Sequence, residues 1–436
     1  MRGFGQLVRG LSLVLPAASG LLLLGGPVWA DEADTAALKA EIEVLKNRLA
    51  SLESQVGQAA LAGGIETGEK AVPGLLQLPS GLAGLQMSGY ADIAYGFNFN
   101  EPDPATTATV GRAFDNESHG FTPHAFELVL EKPITDEMPL GFRTDLFFGD
   151  DAEIIHSTGL GAATDNFDLQ QAYITARAPI EGLEFKVGKF VTLLGAEVIE
   201  SPANWNYSRS LMFQNSIPYT HTGALATYPL GEIGSATFGV VNGWDIVDDN
   251  NKAKSLIGNL TFTPLEDLTL SFNGITGAER AGDSRNKRSV FDTVVTWTPP
   301  IEHLTLMANY DFGHESGVTQ GTAPGAAGRK GFEAAEWTGL ALYAKYDLSD
   351  AWSLAGRWEW FDDKDNARLG ATSIGGSALD DLDIYSYTLT SQWKLHEHVL
   401  ARLEYRHDKA DERVFLRDET FSDYLDTVAA ELIYHF

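Results

Sequence analysis

The chain has 436 residues and no cysteine, and its 60 acidic residues outnumber 31 basic ones, giving a formal net charge of −29 at pH 7. The lack of cysteine excludes a disulfide framework and thiol chemistry, and the acidic balance argues against nucleic acid, which requires a basic surface. The mean hydropathy of −0.12 is near neutral. A membrane barrel that alternates lipid-facing and water-facing residues also averages to near neutral, so composition leaves membrane insertion open.

The first thirty residues have the features of a cleaved secretory signal. Arg2 and Arg9 form a short positive region, an apolar stretch follows, and a small-residue cleavage site ends at Ala30. This pattern predicts that residues 1–30 are a signal peptide. The alternative is an uncleaved anchor, which is less favoured because Pro16 and other breakers interrupt the apolar run. No later stretch approaches the ~18 apolar residues that a spanning helix needs.

Residues 31–58 form a predicted helix with a heptad pattern. Its apolar positions follow spacings of four and three residues: Leu38, Ile42, Leu45, Leu49, Leu52 and Val56. Such a seam predicts a periplasmic coiled coil between protomers, because about three heptads are marginal without a partner. The alternative is a single amphipathic helix lying on its own barrel or on the membrane surface. Residues 59–84, rich in glycine and small residues, are predicted to be a flexible linker.

From residue 85 to residue 436 the chain is a succession of alternating segments separated by turn signals. These predict an all-β fold, a transmembrane antiparallel β-barrel of about 16 strands. The predicted strands lie near 85–99, 120–132, 140–150, 167–179, 182–193, 219–230, 234–244, 252–263, 267–277, 286–298, 302–313, 334–348, 351–362, 380–394, 397–408 and 423–436.

The connections between these strands alternate in length. Seven are short, and the long ones lie near 100–119, 151–166, 194–218, 278–285, 314–333, 363–379 and 409–422. Short turns on one rim and long loops on the other are typical of outer-membrane barrels, with both termini on the periplasmic rim. Aromatic residues gather at strand ends toward that rim, as interfacial girdles require: Trp297, Tyr346, Trp393, Tyr434 and Phe436.

The last predicted strand has one apolar and one polar face, which indicates that the barrel closes. Leu432, Tyr434 and Phe436 share one face, whereas Glu431 and His435 share the other. One face suits lipid and the other suits water, and a closed barrel needs its last strand to pair with its first. The alternative, a soluble β-sandwich, does not account for the secretion signal and the aromatic-tipped strands together.

The inward faces of the predicted strands carry charges of both signs. The candidate pore-wall charges are Arg143, Asp145, Arg177, Lys186, Arg357, Glu359, Arg402, Glu404 and Arg406. Closing about sixteen strands leaves a lumen wide enough for water, and mixed charge there predicts a modest ion preference. Each of these residues could instead form a structural salt bridge that braces the wall.

The third long connection, residues 194–218, is unusually apolar and aromatic for a surface loop. We hypothesise that it folds into the lumen and forms the constriction, as the third loop does in general porins. Its candidate constriction residues are Glu197, Glu200 and Arg209 as charges and Asn204 and Asn206 as polar lining. The alternative is a loop that packs over a subunit interface.

At this point the chain resembles a known family. The segments SGYADIAYGFNFN, HAFELVLEKP, GFRTDLFFGD and the run from LQQAYITARAP to ALATYPLG are similar to the OmpL-like β-barrel porin-2 family. The resemblance covers about 85–436 and implies a Gram-negative outer-membrane porin. It supports a homotrimer held through barrel and coiled coil, contact with outer-membrane lipid and lipopolysaccharide, and recognition of Phe436 as the signal for the barrel-assembly machinery. It carries over no selectivity residue.

Other function classes fit the sequence less well. The histidines are scattered and form no convincing catalytic site, no phosphate-binding loop is present, and we expect neither an enzyme nor a cofactor. His396-Glu397-His398 could bind a metal, but a solvated turn is favoured and no metal site is predicted. A gated or substrate-specific transporter of the long-chain fatty-acid type remains an alternative, as does a purely structural tether.

Overall fold

The computed structural model describes residues 84–102, 109–162, 164–317, 334–371 and 379–436. The predicted signal peptide, the predicted coiled-coil helix and residues 59–83 of the predicted linker lie outside the described residues. Those three segments therefore stay predictions. None of the helices in the described ranges is long and apolar enough to cross a bilayer.

Sixteen strands in the described ranges form one closed antiparallel barrel, and two short strands form a separate hairpin. The barrel strands are β1 (Gln86–Asn98), β2 (Gly120–Lys132), β3 (Leu140–Phe148), β4 (Phe167–Arg177), β5 (Glu184–Val191), β6 (Thr220–Pro229), β7 (Gly234–Val241), β8 (Ser255–Leu265), β9 (Leu268–Gly277), β10 (Arg288–Trp297), β11 (Leu304–Ser316), β12 (Ala334–Ser349), β13 (Trp352–Asp362), β14 (Asp383–His396), β15 (Val399–Ala410) and β18 (Tyr424–His435). The hairpin strands are β16 (Phe415–Arg417) and β17 (Thr420–Ser422). The connections contain helices α1 (Asp151–Ile155) and α2 (Leu211–Asn215) and two 3-10 turns, Ser201–Ala203 and Gly231–Ile233.

The barrel closes where the sequence predicts, between its first and last strands. The register between β1 and β18 runs from Tyr90 opposite His435 to Asn98 opposite Thr427. Gly89 and Phe436 exchange both backbone hydrogen bonds, at 3.1 and 3.0 Å. A Cβ atom on Gly89 would lie 2.9 Å from the Phe436 ring and closer still to a β2 carbonyl. The closing edge therefore accommodates the terminal aromatic ring only because residue 89 has no side chain.

Inward and outward faces alternate as predicted. In β13, buried Ser353, Ala355, Arg357 and Glu359 alternate with more exposed residues of the other face. In β18, Leu432 and Tyr434 are 53% and 52% exposed on the outside of the barrel. The outward face presents a band of large apolar side chains of the kind that lipid contacts. The fold prediction of a closed antiparallel barrel with sixteen strands is thus confirmed.

Two features of the connections differ from the prediction. The segment near 409–422, predicted as an irregular loop, contains the hairpin β16–β17, whose tip places Asp418 at a positive φ of 47°. Aspartate tolerates this left-handed conformation better than most residues. Because acidic residues surround Asp418, the sequence pattern indicated a solvated loop and not a hairpin. In addition, residues 242–254 form a further long connection, between β7 and β8, that was not among those predicted.

Candidate functional site

Residues 194–218, which connect β5 to β6, lie inside the barrel and contact inward-facing side chains on its opposite side. Asn206 donates a hydrogen bond from Nδ2 to Thr390 Oγ1 of β14 at 2.6 Å, and the Ala196 amide donates to Asn309 Oδ1 of β11 at 3.2 Å. We call residues 194–218 the inserted segment. Irregular backbone at membrane depth is stable only where other groups satisfy its amides and carbonyls.

Two polar side chains set the local shape of the inserted segment. Asn204 accepts a hydrogen bond from the Val198 amide at 3.0 Å and donates one to the Val198 carbonyl at 2.8 Å. The Arg209 guanidinium donates to the carbonyls of Val198, Ile199 and Tyr207, at 3.1, 2.5 and 3.0 Å. These bonds close residues 198–209 into a compact turn. Directly after it, Ser210 Oγ accepts from the Phe213 amide at 3.0 Å and caps α2.

Three arginines of the opposite wall donate to carbonyls of the inserted segment. From β15, Arg402 donates to Ser201 O at 3.1 Å and to Asn204 O at 2.6 Å. Arg406, also in β15, donates to Arg209 O at 2.8 Å, and Arg357 of β13 donates to Ser208 O at 2.6 Å. A guanidinium has five donors in a rigid fork, which suits it to several carbonyls at once.

Carboxylates of the same wall accept from amides of the inserted segment. Glu404 accepts from the Tyr207 and Ser208 amides at 2.7 and 3.0 Å, one bond to each carboxylate oxygen. Glu359 accepts from the Leu211 amide at 2.7 Å. Such charge-assisted bonds are about twice as strong as neutral ones. We call Arg357, Glu359, Arg402, Glu404 and Arg406 the clasp.

The charges of the clasp are buried and paired. Arg357 and Glu359 lie 3.2 Å apart, and the Glu197 carboxylate accepts from Arg357 at 2.7 Å. Arg402 is paired with Glu431 at 2.9 Å, and Arg406 with Asp408 at 2.8 Å. A buried charge without a partner costs several kcal/mol of folding free energy. These ion pairs offset that cost and allow the charged side chains to be buried.

Apolar side chains of the inserted segment and of the barrel wall form one hydrophobic cluster. Leu211, Met212 and Phe213 of α2 are at most 3% exposed and belong to one hydrophobic cluster inside the barrel. Inward-facing aliphatic residues of five consecutive strands belong to the same cluster: Leu225, Val241, Ile257, Ile275 and Val290. At this height protein therefore fills much of the barrel.

The structure brings the five candidate constriction residues together in the inserted segment but buries most of them. Glu197, Asn204, Asn206 and Arg209 are between 2% and 7% exposed. Glu200 is half-buried and accepts a hydrogen bond from Gln170 Nε2 of β4 at 2.6 Å. Their side chains satisfy backbone and neighbouring groups, so Arg209 and Glu197 do not face open lumen as the sequence hypothesis supposed.

The nine candidate pore-wall charges fall into two groups. The five clasp residues and Asp145 are at most 3% exposed and contact protein rather than water. Arg143, Arg177 and Lys186 are half-exposed. Their role as pore-wall charges stays a prediction from the sequence pattern. The pattern could not indicate which charges the inserted segment covers, because that depends on contacts between residues some two hundred positions apart.

Hydroxyl groups line the inner surface of β6–β9, four strands that contain no Asp, Glu, Lys or Arg. Thr227 and Thr237 are hydrogen-bonded at 2.9 Å, and Thr261 and Ser271 at 3.0 Å. These four inward-facing side chains are half-exposed. They provide uncharged hydrogen-bonding groups on a surface that water can reach.

Sequence reasoning missed an arginine–tryptophan cluster contributed by β10 and two long connections. The guanidinium carbons of Arg288 and Arg368 lie 4.8 and 4.9 Å from the centre of the Trp244 ring. Arg368 also donates to the carbonyl of Asn215, the last residue of α2, at 2.6 Å. Burial and the nearby charge of Arg288 lower the pKa of Arg368 to about 10. No motif could have indicated this cluster, because Arg288 begins β10 whereas Trp244 and Arg368 lie in two separate connections.

Comparison with known protein families identifies the family of this barrel. Residues 84–436 match the model of the family described as "Putative beta-barrel porin-2, OmpL-like". The chain belongs to this porin family. This confirms the resemblance read from the sequence, and the protein is accordingly an outer-membrane β-barrel channel. A search of curated proteins found no match.

Solved structures with the same fold include several outer-membrane proteins. The anion-selective porin from Comamonas acidovorans has a TM-score of 0.54 at 11% identity, with 81% of this chain and 99% of that one covered. The outer-membrane channel DcaP of Acinetobacter baumannii has a TM-score of 0.53 at 13% identity, covering 81% and 97%. The loop L8 deletion mutant of OmpT from Vibrio cholerae has 0.52 at 12%, covering 81% and 99%. At such identities the likeness shows the fold.

Proposed function

We propose that this porin is a channel for passive diffusion of small hydrophilic solutes or ions, with the inserted segment as its constriction. One observation carries the proposal: the inserted segment lies across the barrel, bonded through its backbone to β13 and β15. A segment held in this way reduces the open cross-section without closing the barrel ends. We propose no catalytic role and no cofactor.

We propose weak rather than strict ion selectivity. The clasp arginines are paired with Glu359, with Glu197 of the inserted segment and with the wall residues Glu431 and Asp408, so they contribute little field to the remaining passage. The passage is left with partly exposed charges of both signs, which include Lys186 and the pairs Arg143–Glu131 and Arg177–Glu184, and with threonine and serine hydroxyls. A reversal potential near the ideal value for one ion in a salt gradient would contradict this.

Single-channel conductance tests the constriction. We expect deletion of residues 198–215 to raise the conductance several-fold, because the deletion removes most of the protein that spans the barrel. Deletion of residues 281–284, in the connection between β9 and β10, serves as the control and should leave conductance near the wild-type value. Equal conductance of wild type and the 198–215 deletion would reject the constriction.

A gated or substrate-specific transporter is the second candidate, and one observation favours it. Buried aliphatic residues of β6–β10 belong to the same hydrophobic cluster as α2, so apolar side chains occupy part of the lumen. Conductance in salt alone separates the two candidates. A diffusion channel conducts steadily, whereas a gated transporter conducts only when its substrate is added.

We propose that the protein assembles as a homotrimer through barrel and coiled coil. The outward faces of β7, β8 and β9 expose Phe238, Leu256, Leu260 and Phe272, and these strands contain no Asp, Glu, Lys or Arg. Such a surface suits another barrel or lipid, and contact with lipopolysaccharide at the outer leaflet is also proposed. Native mass in detergent tests the trimer. Deletion of residues 31–58 should weaken a trimer that depends on the coiled coil, and a monomeric mass for the full chain would contradict it.

We propose that the barrel-assembly machinery reads Phe436. Its backbone pairing with Gly89 supports this role, because the residue completes the closing edge. Replacing Phe436 with Asp should reduce the amount inserted in the outer membrane and leave the conductance of assembled channels nearly unchanged. Normal insertion of that variant would reduce Phe436 to an ordinary interfacial aromatic residue.

A further inference from the structure

Three carboxylates converge where the inserted segment meets the near wall of the barrel. They belong to Glu127 of β2, Asp145 of β3 and Glu200 of the inserted segment, and one oxygen atom from each lies within 4.8 Å of the other two. Glu127 and Asp145 are 2% and 0% exposed. Three negative charges in so small a buried volume repel one another strongly unless positive charge compensates them.

The cationic side chains nearby compensate only part of this charge. Arg143 donates to both oxygens of Asp145, at 2.9 and 3.1 Å, and is also paired with Glu131 at 3.4 Å. Lys186 lies over the Tyr173 ring, 4.4 Å from its centre. One guanidinium thus contacts one of the three carboxylates, and the charges of Glu127 and Glu200 are left largely uncompensated.

Buried polar groups around the three carboxylates lack hydrogen-bond partners. Gln170, which is 0% exposed, donates from Nε2 to Glu200 at 2.6 Å, while its Oε1 atom has no partner. Glu127 Oε1 is also without a partner, as is the hydroxyl of the buried Tyr90 on β1. Native proteins satisfy nearly all such groups, so several orphans beside one acidic cluster indicate that a ligand is accepted there. The carboxamide of Gln170 contacts the cluster, and a rotation of that group would present its oxygen instead of its nitrogen.

We propose that Glu127, Asp145 and Glu200, with the carboxamide oxygen of Gln170, bind a calcium ion. Calcium takes oxygen ligands at about 2.3–2.6 Å, so opposite ligands lie about 4.6–5.2 Å apart. The three carboxylate oxygens, each within 4.8 Å of the other two, are close enough to share one such ion. Several carboxylates together with a carboxamide oxygen suit calcium, whereas magnesium usually keeps several waters and binds through one or two carboxylates. The ion ties the inserted segment to β2 and β3, two strands that carry none of the clasp.

Calcium titration of the purified full-length protein tests the site. After washing with EDTA, the protein in calcium-free detergent buffer is titrated with Ca²⁺ in a calorimeter, and we expect one ion per chain. Glu127→Gln should weaken the affinity at least about tenfold. Glu184→Gln is the matched control, because Glu184 of β5 is exposed and pairs with Arg177 rather than with a residue of the cluster, and it should bind as wild type does.

Thermal unfolding of the same preparations separates a cation from simple protonation. In EDTA, Glu127→Gln should melt at a higher temperature than wild type, because one repelling charge is gone. In Ca²⁺ the order should reverse, since only wild type gains binding energy. No calcium binding by wild type, equal affinity of Glu127→Gln, or a higher melting temperature of Glu127→Gln in both buffers would each overturn the site. Calorimetry measures calcium binding independently of ion conduction. Loss of conductance would therefore contradict the proposed diffusion channel and not the calcium site.

Discussion

The two sides of the barrel interior hold the inserted segment by different means. Strands β6–β9 contain no Asp, Glu, Lys or Arg, and their buried aliphatic side chains, such as Leu225 and Ile257, belong to the same hydrophobic cluster as apolar residues of the inserted segment. Strands β13 and β15 carry the clasp, which meets the same segment with guanidinium and carboxylate groups. We call these the neutral side and the charged side.

The difference follows from what each side contacts. The charged side faces the irregular turn at residues 198–209, whose amides and carbonyls have no regular partners and need side-chain donors and acceptors. The neutral side contributes aliphatic side chains to the same hydrophobic cluster as Leu211, Met212 and Phe213 of α2. The clasp charges therefore meet hydrogen-bonding needs of the inserted backbone.

The largest expected effect is the loss of a clasp arginine. Arg402→Met removes the donors to Ser201 O and Asn204 O and leaves Glu431 buried without its partner. We expect the free energy of unfolding to fall by about 3–5 kcal/mol. Thermal or denaturant unfolding in detergent measures this, and the current through single channels should become noisier as residues 198–209 loosen.

A double variant sharpens this prediction. Adding Glu431→Gln to Arg402→Met removes the uncompensated charge, so part of the lost stability should return while the noise of the current remains. Equal stability of Arg402→Met and wild type would show that the charged side does not hold the inserted segment.

The fold was predictable because local patterns determine it. Alternation in segments such as Trp352–Asp362 and the turn signals between them fixed the strand number, and the paired faces of β18 fixed the closure. Strand ends were less accurate, as for β8, because proline at position 264 marks a turn in sequence yet lies within the strand. Pairing with β9 there includes an irregularity that tolerates the missing amide.

The site was predictable only in part. The apolar and aromatic content of residues 194–218 indicated burial, and the inserted segment does lie among inward-facing side chains. The partners were not predictable, because Glu404 and Tyr207 are separated by 197 positions along the chain. The acidic cluster at Glu127 was missed for the same reason, since it joins two strands to a distant connection.

A cavity on the neutral side should have an intermediate effect. Ile257 is 1% exposed in the cluster that packs against α2. Ile257→Ala should lower the free energy of unfolding by about 2–5 kcal/mol, near the lower end if neighbours relax into the space. Conductance should stay constant or rise slightly and noise should not increase, because the clasp is intact. If the single-channel current of Ile257→Ala were as noisy as that of Arg402→Met, the two sides would not differ in how they hold the inserted segment.

Replacement of an exposed charge should have the smallest effect on stability. Its effect on ion selectivity should nevertheless be larger than that of losing a clasp arginine. Arg177 is paired with Asp136 at 2.9 Å, and the two side chains are 35% and 100% exposed. Arg177→Gln should change the free energy of unfolding by less than about 1 kcal/mol, since exposed pairs contribute little. Its charge faces water, so its loss should shift the reversal potential toward cations, more at low salt, where screening over a Debye length is weaker. Arg402→Met should shift it less despite the greater loss of stability. The opposite ranking of the two variants in reversal potential would mean that buried clasp charges do act on ions in the passage.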